Sequence, residues 1–251
     1  MTNSSRLYVF QIFPPIGLPG ARMNFMIVFE PENGFSDREG TVFPLGLILA
    51  DGKRTVTSFQ SFKPLAVWLD SLPEETLFTP QTRASLLEKV KPLLSGAGYT
   101  GEVFSSTVYR MTDRTQIHRS CLLSSTELLL PEHHYRNLTE CEPDPLGEGY
   151  LCFGTVEKKK ILSAASENPH PEDSPVIDIG VETAPGYTGR GFASSNVAAL
   201  AYFLLDPGVT VTYIVEDGNP ASARVAEKVG FLPGSRELRL VCTPAEESGE
   251  K

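Results

Sequence analysis

Pro185-Gly186-Tyr187-Thr188-Gly189-Arg190-Gly191-Phe192-Ala193-Ser194 is the stretch on which the reading of this chain turns. Before it lies Val176–Thr183, whose β-branched and apolar residues predict a strand. After it, Gly191–Leu205 predicts a helix, with Ala198, Ala199 and Ala201 raising helix propensity. A strand that turns through glycines into a helix presents several backbone N–H groups at the helix start. Those donors and the helix dipole suit a pyrophosphate. Gly189 and Gly191 permit close backbone approach, and Arg190 adds charge. The spacing is neither a Walker loop, which needs Gly-Lys-Ser/Thr, nor GxGxxG. Taken alone, the stretch is equally an ordinary glycine-rich turn.

Outward from it, Val209–Val215 predicts a strand, and Asn219 or Ser222 caps a helix reaching Val229 and ended by Gly230. Leu238–Cys242 predicts a last strand. On the other side, Tyr150–Glu157, the basic turn Lys158–Lys160 and Ile161–Ser166 predict a β-hairpin, followed by a polar loop at Asn168–Ser174. Ser120–Leu130 has strand character and Pro131–Glu140 holds a short helix. Alternating strands and helices argue for α/β architecture. A first region, residues 1–112, has β-like stretches at Leu7–Phe13, Asn24–Glu30, Thr41–Leu49, Arg54–Phe59 and Gly101–Met111. Between the last two, Arg83–Leu94 repeats apolar residues at helical spacing and is stopped by Gly96-Ala97-Gly98. The second region is residues 113–251.

Composition bounds the function. With 41% apolar and 21% charged residues, the 251-residue chain can bury a core. Its net charge is −9, and all of it falls after residue 115: residues 1–115 carry 11 basic and 11 acidic side chains, the remainder 11 and 20. No basic stripe is present to neutralise phosphates, which argues against a nucleic-acid binder. No apolar run reaches the ~20 residues that span a bilayer, and Met1–Arg6 with the proline-broken Leu7–Ile16 does not form a signal peptide. The expectation is a cytoplasmic protein bound to neither membrane nor nucleic acid. Four cysteines, Cys121, Cys141, Cys152 and Cys242, make no disulfide scaffold.

Two motifs in this order resemble the GNAT superfamily of acyl-CoA-dependent N-acetyltransferases. Members carry Arg/Gln-x-x-Gly-x-Gly/Ala at the start of the main helix, behind a strand and Pro-x-Tyr. This chain has Pro185-Gly186-Tyr187, then Thr188-Gly189-Arg190-Gly191-Phe192-Ala193. Members then carry Asn-x-x-Ala/Ser and Lys-x-Gly-Phe, matched by Asn219-Pro220-Ala221-Ser222 and Lys228-Val229-Gly230-Phe231. The resemblance covers about residues 116–242. It implies a mixed twisted sheet flanked by helices, with two central strands splayed to admit pantetheine, preceded here by a smaller α/β domain. It also implies acetyl-CoA as cosubstrate, no metal, and an amine acceptor, either a small molecule or a peptide. Thr183, Thr188, Gly189, Arg190, Gly191, Phe192, Ala193, Ser194, Asn219 and Ser222 are the residues it assigns to the cosubstrate. The first region either covers the acceptor side or mediates homodimerisation.

The implied chemistry is direct attack of an amine on the thioester carbonyl, and a base must first remove the ammonium proton. Glu182 and Asp178, four residues apart on one face of the strand, are the candidates, directly or through water. Equally, each can hold a neighbouring backbone or an arginine. Backbone N–H groups near Thr183 would polarise the carbonyl. The chain departs from the family pattern twice. Thr188 replaces a long side-chain donor, and Ala226 stands where members carry the tyrosine that protonates the departing thiolate. Tyr187, Tyr213 and Ser222 are the substitutes on offer. The reading expects another group to help the thiolate leave, or none. Ala226 also keeps two rival readings open: a CoA-binding regulator or inactive relative, and a protein-interaction module on this scaffold. His133-His134 as metal ligands, Cys152 as nucleophile and Lys158-Lys159-Lys160 as a phosphate patch each have blander readings: a solvated loop, a buried thiol and a hairpin turn.

Overall fold

The computed structural model describes residues 25–30, 42–130, 135, 151–168, 170 and 173–245. The expected strand at Leu7–Phe13, the histidine pair His133-His134, Cys141, and all of the Pro131–Glu140 helix but Tyr135 lie outside them. The chain forms two compact units that are not consecutive in sequence: residues 1–107 with 234–251, and residues 108–233. The sequence reading places a single cut after residue 112.

In the first unit, β1 (Phe25–Glu30) runs parallel to β3 (Lys53–Phe59). β3 pairs antiparallel with β2 (Val42–Ala50), and β2 with β10 (Leu232–Pro244), where the pairing starts at Ser235. β10 is longer than the expected Leu238–Cys242 because Ser235, Arg236 and Glu237 also pair with Ala50, Leu49 and Ile48 of β2, while Leu238, Leu240 and Cys242 bury in this unit's core. Helix α1 (Lys63–Ser71), which sequence reasoning missed, contributes Leu65, Ala66 and Leu69. Helix α2 (Pro80–Ala97) contributes Leu86, Val90 and Leu94. α2 starts three residues before the expected Arg83, because the Thr79 hydroxyl accepts from the Thr82 N–H and Pro80 follows with a preset φ. β4 (Tyr99–Met111) follows α2 after Gly98.

In the second unit the hairpin expectation holds: β6 (Cys152–Glu157) and β7 (Lys160–Glu167) pair antiparallel across a two-residue turn. That turn carries Lys158 at φ 50° and Lys159 at φ 65°, the twist that a tight hairpin requires. β7 pairs antiparallel with β8 (Val176–Thr183), and β8 runs parallel to β9 (Thr210–Glu216). The sheet of this unit is therefore mixed. On its far side β6 pairs with β5 (Thr126–Leu128). The expected strand Ser120–Leu130 is corrected here: Arg119–Cys121 is a 3₁₀ turn and only three residues are extended. The Leu123 N–H bonds to the Ser195 hydroxyl instead of to a strand. Helix α3 (Phe192–Leu204) and helix α4 (Pro220–Val229) pack on the sheet through Val197, Ala198, Leu200, Ala201, Ala226 and Val229.

Candidate functional site

β8 organises the site. Its pairing with β9 stops after Val176↔Thr210, Ile177↔Val211 and Asp178↔Thr212, whereas its pairing with β7 continues to Ser163↔Thr183. Past Asp178 the two parallel strands part. Hydrogen-bond alternation sets which backbone groups face the gap. The Ala184 N–H bonds to Leu162 and the Asn168 N–H to Asp178, so even-numbered residues of β8 turn their N–H and C=O toward β7. Those of Val181 and Thr183 consequently turn toward the gap. The expected splay of the two central strands is present.

The turn after β8 reaches α3 through Gly186, Gly189 and Gly191, at φ 83°, 77° and 84°. A Cβ on Gly186 or Gly189 would meet nothing within 4 Å. These glycines answer a backbone demand rather than a packing one, and the space over them is open. Gly191 caps α3, and the first helical bond runs from the Ser195 N–H to its carbonyl. The N–H groups of Phe192, Ala193 and Ser194 precede that bond and have no partner inside the helix.

A buried polar network anchors this helix start. Ser195 Oγ accepts from the Leu123 N–H at 2.8 Å and pairs with the Thr126 hydroxyl. Asn196, fully buried, accepts from the Thr126 and Thr155 hydroxyls and donates to the Ser163 carbonyl at 3.0 Å. Ser163 donates to the Glu182 carbonyl and shares a 2.9 Å bond with the Thr183 hydroxyl. The network runs from the end of β8 through β7 and β6 to α3, so it fixes the helix start relative to the strand gap. Nothing in the spacing of these hydroxyls along the sequence signals it.

Two cations adjoin the turn. The Arg190 guanidinium stacks 4.8 Å over the Tyr187 ring and donates to the Gly186 carbonyl. The Lys160 ammonium lies 6.0 Å from the same ring. A third, Lys228, reaches over from α4: its Nζ is 3.7 Å from where a Gly191 Cβ would stand. Among the described residues no carboxylate pairs with Lys228. A cation beside the positive end of a helix suits a shared anion between them. Lys228 was legible as part of a motif but not as a neighbour of Gly191.

The two carboxylates differ. Glu182 is exposed at the end of β8, beside the gap. Asp178 is half-buried, accepts from the Thr212 hydroxyl at 3.0 Å and from the Asn168 amide, and so ties β8 to β9 and to the residue that follows β7. Asn219 caps α4, its Oδ1 accepting the Ser222 N–H at 3.0 Å. Ser222 in turn donates to the Tyr213 hydroxyl at 2.9 Å. Thus two of the three substitutes for the absent tyrosine meet at one point, and Tyr187 does not join them. Ala226 is fully buried in the core. Cys152 is buried, which pushes its thiol up to about 11 and matches the inert reading. Among the described residues no group of three His, Cys, Asp or Glu gathers to hold a metal ion, and no helix is long and apolar enough to cross a membrane.

A strand gap beside a glycine turn that leads into a helix start defines the candidate site of this α/β domain. Residues 95–232 match the acetyltransferase (GNAT) domain family, so the chain belongs to that family. No curated protein matches it. Among solved structures, an acetyltransferase of the GNAT family from Colwellia psychrerythraea is 18% identical, with 57% of each chain covered and a TM-score of 0.43. A GCN5-related N-acetyltransferase-like protein from Streptococcus suis is 21% identical, covering 65% of this chain and 68% of that one at a TM-score of 0.43. A Salmonella typhimurium structure with its cofactor acetyl-CoA is 16% identical, covering 42% and 70% at 0.32. The chain spans 57% of the length of the Colwellia protein.

Proposed function

We propose that the chain is an N-acetyltransferase that uses acetyl-CoA as cosubstrate and acetylates an amine by direct attack. The observation that carries this reading is the strand gap at Val181–Thr183 opening beside the Gly186–Ser194 turn. The residues fit the cosubstrate: the space over Gly186 and Gly189 is open, the N–H groups at the start of α3 suit a pyrophosphate, and Lys228 and Arg190 supply charge. Val181 and Thr183 offer backbone donors and acceptors along the gap for an amide-bearing arm. Thr188 contributes a hydroxyl where family members reach with a longer donor. Bound there, the cosubstrate supplies an activated acetyl group.

Glu182 takes the proton from the acceptor ammonium, because it is exposed and adjoins the gap, whereas Asp178 is half-buried below the point where the strands part. The acceptor is a small-molecule amine or a peptide, met in the cytoplasm. Calorimetry with CoA, followed by thiol release from acetyl-CoA across an amine panel, tests the proposal. Binding with turnover supports it. Binding without turnover points to a regulator, and absence of binding to an interaction module on this scaffold.

A further inference from the structure

The Tyr213 hydroxyl is placed unusually for a buried phenol. Tyr213 is 3% exposed, and its Oη accepts from Ser222. A phenol has one proton to give, and the accepted bond leaves that proton unspent. Among the described residues no acceptor takes it. A buried donor without an acceptor costs stability, so such a group in a native fold calls for an explanation. Its position supplies one. Thr212 makes the last pairing of β9 with β8, and Tyr213 is the next residue, at the root of the gap. α4 begins beside it, with Ser222 in its first turn.

The geometry points to Tyr213 as the proton donor to the thiolate that leaves in the proposed reaction, held by Ser222 in the role that a tyrosine at position 226 would otherwise fill. The inference rests on the acetyl-CoA reading. As the amine nitrogen bonds to the carbonyl carbon, the C–S bond breaks and its electron pair stays on sulfur. The Tyr213 proton passes to that sulfur, and the phenolate recovers a proton from solvent by way of Ser222. The ammonium loses one proton through Glu182 before attack; the nitrogen sheds its second proton to solvent once it is bonded to carbon, and that proton balances the one the phenolate takes up. The surroundings keep the phenol loaded: burial, and then the negative charge of Asp178, raise its pKa, against the opposing Ser222 bond.

The decisive measurement is the calorimetric preference for CoA over desulfo-CoA, which differ only at sulfur, near pH ~8.5 where the thiolate is populated. The wild type binds CoA about 10-fold or more tightly, the size of a hydrogen bond to a charged group. Tyr213→Phe keeps the ring and its packing. It binds desulfo-CoA as the wild type does, and the preference vanishes. In Tyr202→Phe, whose exposed ring lies under Arg114 away from the gap, the preference is unchanged. Single-turnover acetyl transfer by Tyr213→Phe falls ~100- to 10,000-fold, whereas a merely structural hydroxyl would leave the chemical step near wild type. A preference that survives in Tyr213→Phe, or a wild type that binds both ligands alike, overturns the assignment. A wild type that binds neither overturns the acetyl-CoA reading itself.

Discussion

Gly230 offers the sharpest test of how this fold is specified. It ends α4 at φ 111°, where an L-residue is strained. A Cβ there would stand 2.0 Å from the Gln116 carbonyl oxygen, so Gly230→Ala must open that contact by more than 1 Å to reach the ordinary 3.4 Å. Gln116 cannot yield freely. Its N–H bonds to Asp113, its side chain accepts from the Thr112 and Asp113 N–H groups, and His118 bonds to Val229 two residues on. Strained φ costs roughly 1–2 kcal/mol, and disturbing two or three of these bonds adds about 2–3 kcal/mol. The sum of roughly 3–5 kcal/mol lowers the unfolding temperature of the second unit by an amount of order 10 °C. Two controls separate the contributions. Gly218→Ala, at φ 94° with open space around it, carries the φ cost alone. Gly96→Ala, inside α2 with nothing within 4 Å, gains about 0.5–1 kcal/mol. Scanning calorimetry of the three variants reads the order directly. Equal losses for Gly230→Ala and Gly218→Ala would refute the claim that the Gln116 contact matters.

Gly191→Val adds both strain and bulk at the start of α3 and weakens CoA binding at least ~10-fold in calorimetry; unchanged affinity would move the pyrophosphate elsewhere. Glu182→Gln slows acetyl transfer ~100- to 10,000-fold with little change in melting temperature. Asp178→Asn shows the opposite split, lowering the melting temperature, because the Asn168 and Thr212 bonds to its carboxylate weaken. Steady-state rates and melting curves on both proteins decide between those assignments. Burial raises the Cys152 and Cys242 thiols from 9.0 to about 11, so from pH 9 to 11 the unfolded chain binds fewer protons than the folded one and stability falls as pH rises. Urea midpoints across that window show a shallower decline in Cys152→Ala than in the wild type.

The strands and helices of the second unit were largely legible because each has local punctuation: Gly191 before α3, Asn219 before α4, Gly230 after it. β8 was read to the residue. What failed locally was decided by distant partners. Ser120–Leu130 looks extended, but Leu123 and Thr126 are claimed by Ser195 of α3, leaving only a short strand. α1 carries no comparable signal, because its nine residues include Pro64 and lie in a run without a clear period. Of the site, the glycine turn and the carboxylate pair could be named from sequence. The different employment of Asp178 and Glu182, the approach of Lys228 to Gly191 and the meeting of Tyr213 with Ser222 could not, since each joins residues brought together only by pairing and packing.

The return of β10 to the first unit has a consequence for the order of biosynthesis. Leu238, Leu240 and Cys242 sit in the core that also holds Leu45, Val56, Leu86 and Val90. Every residue of the second unit is translated between them. During synthesis the first ~100 residues therefore emerge without one of their own strands, and β2 keeps an unsatisfied edge until the residues after 234 arrive. The second unit, by contrast, is encoded as one uninterrupted stretch, residues 108–233. The half encoded first is thus the last to gain all of its strands, and it is the one a chaperone would have reason to hold.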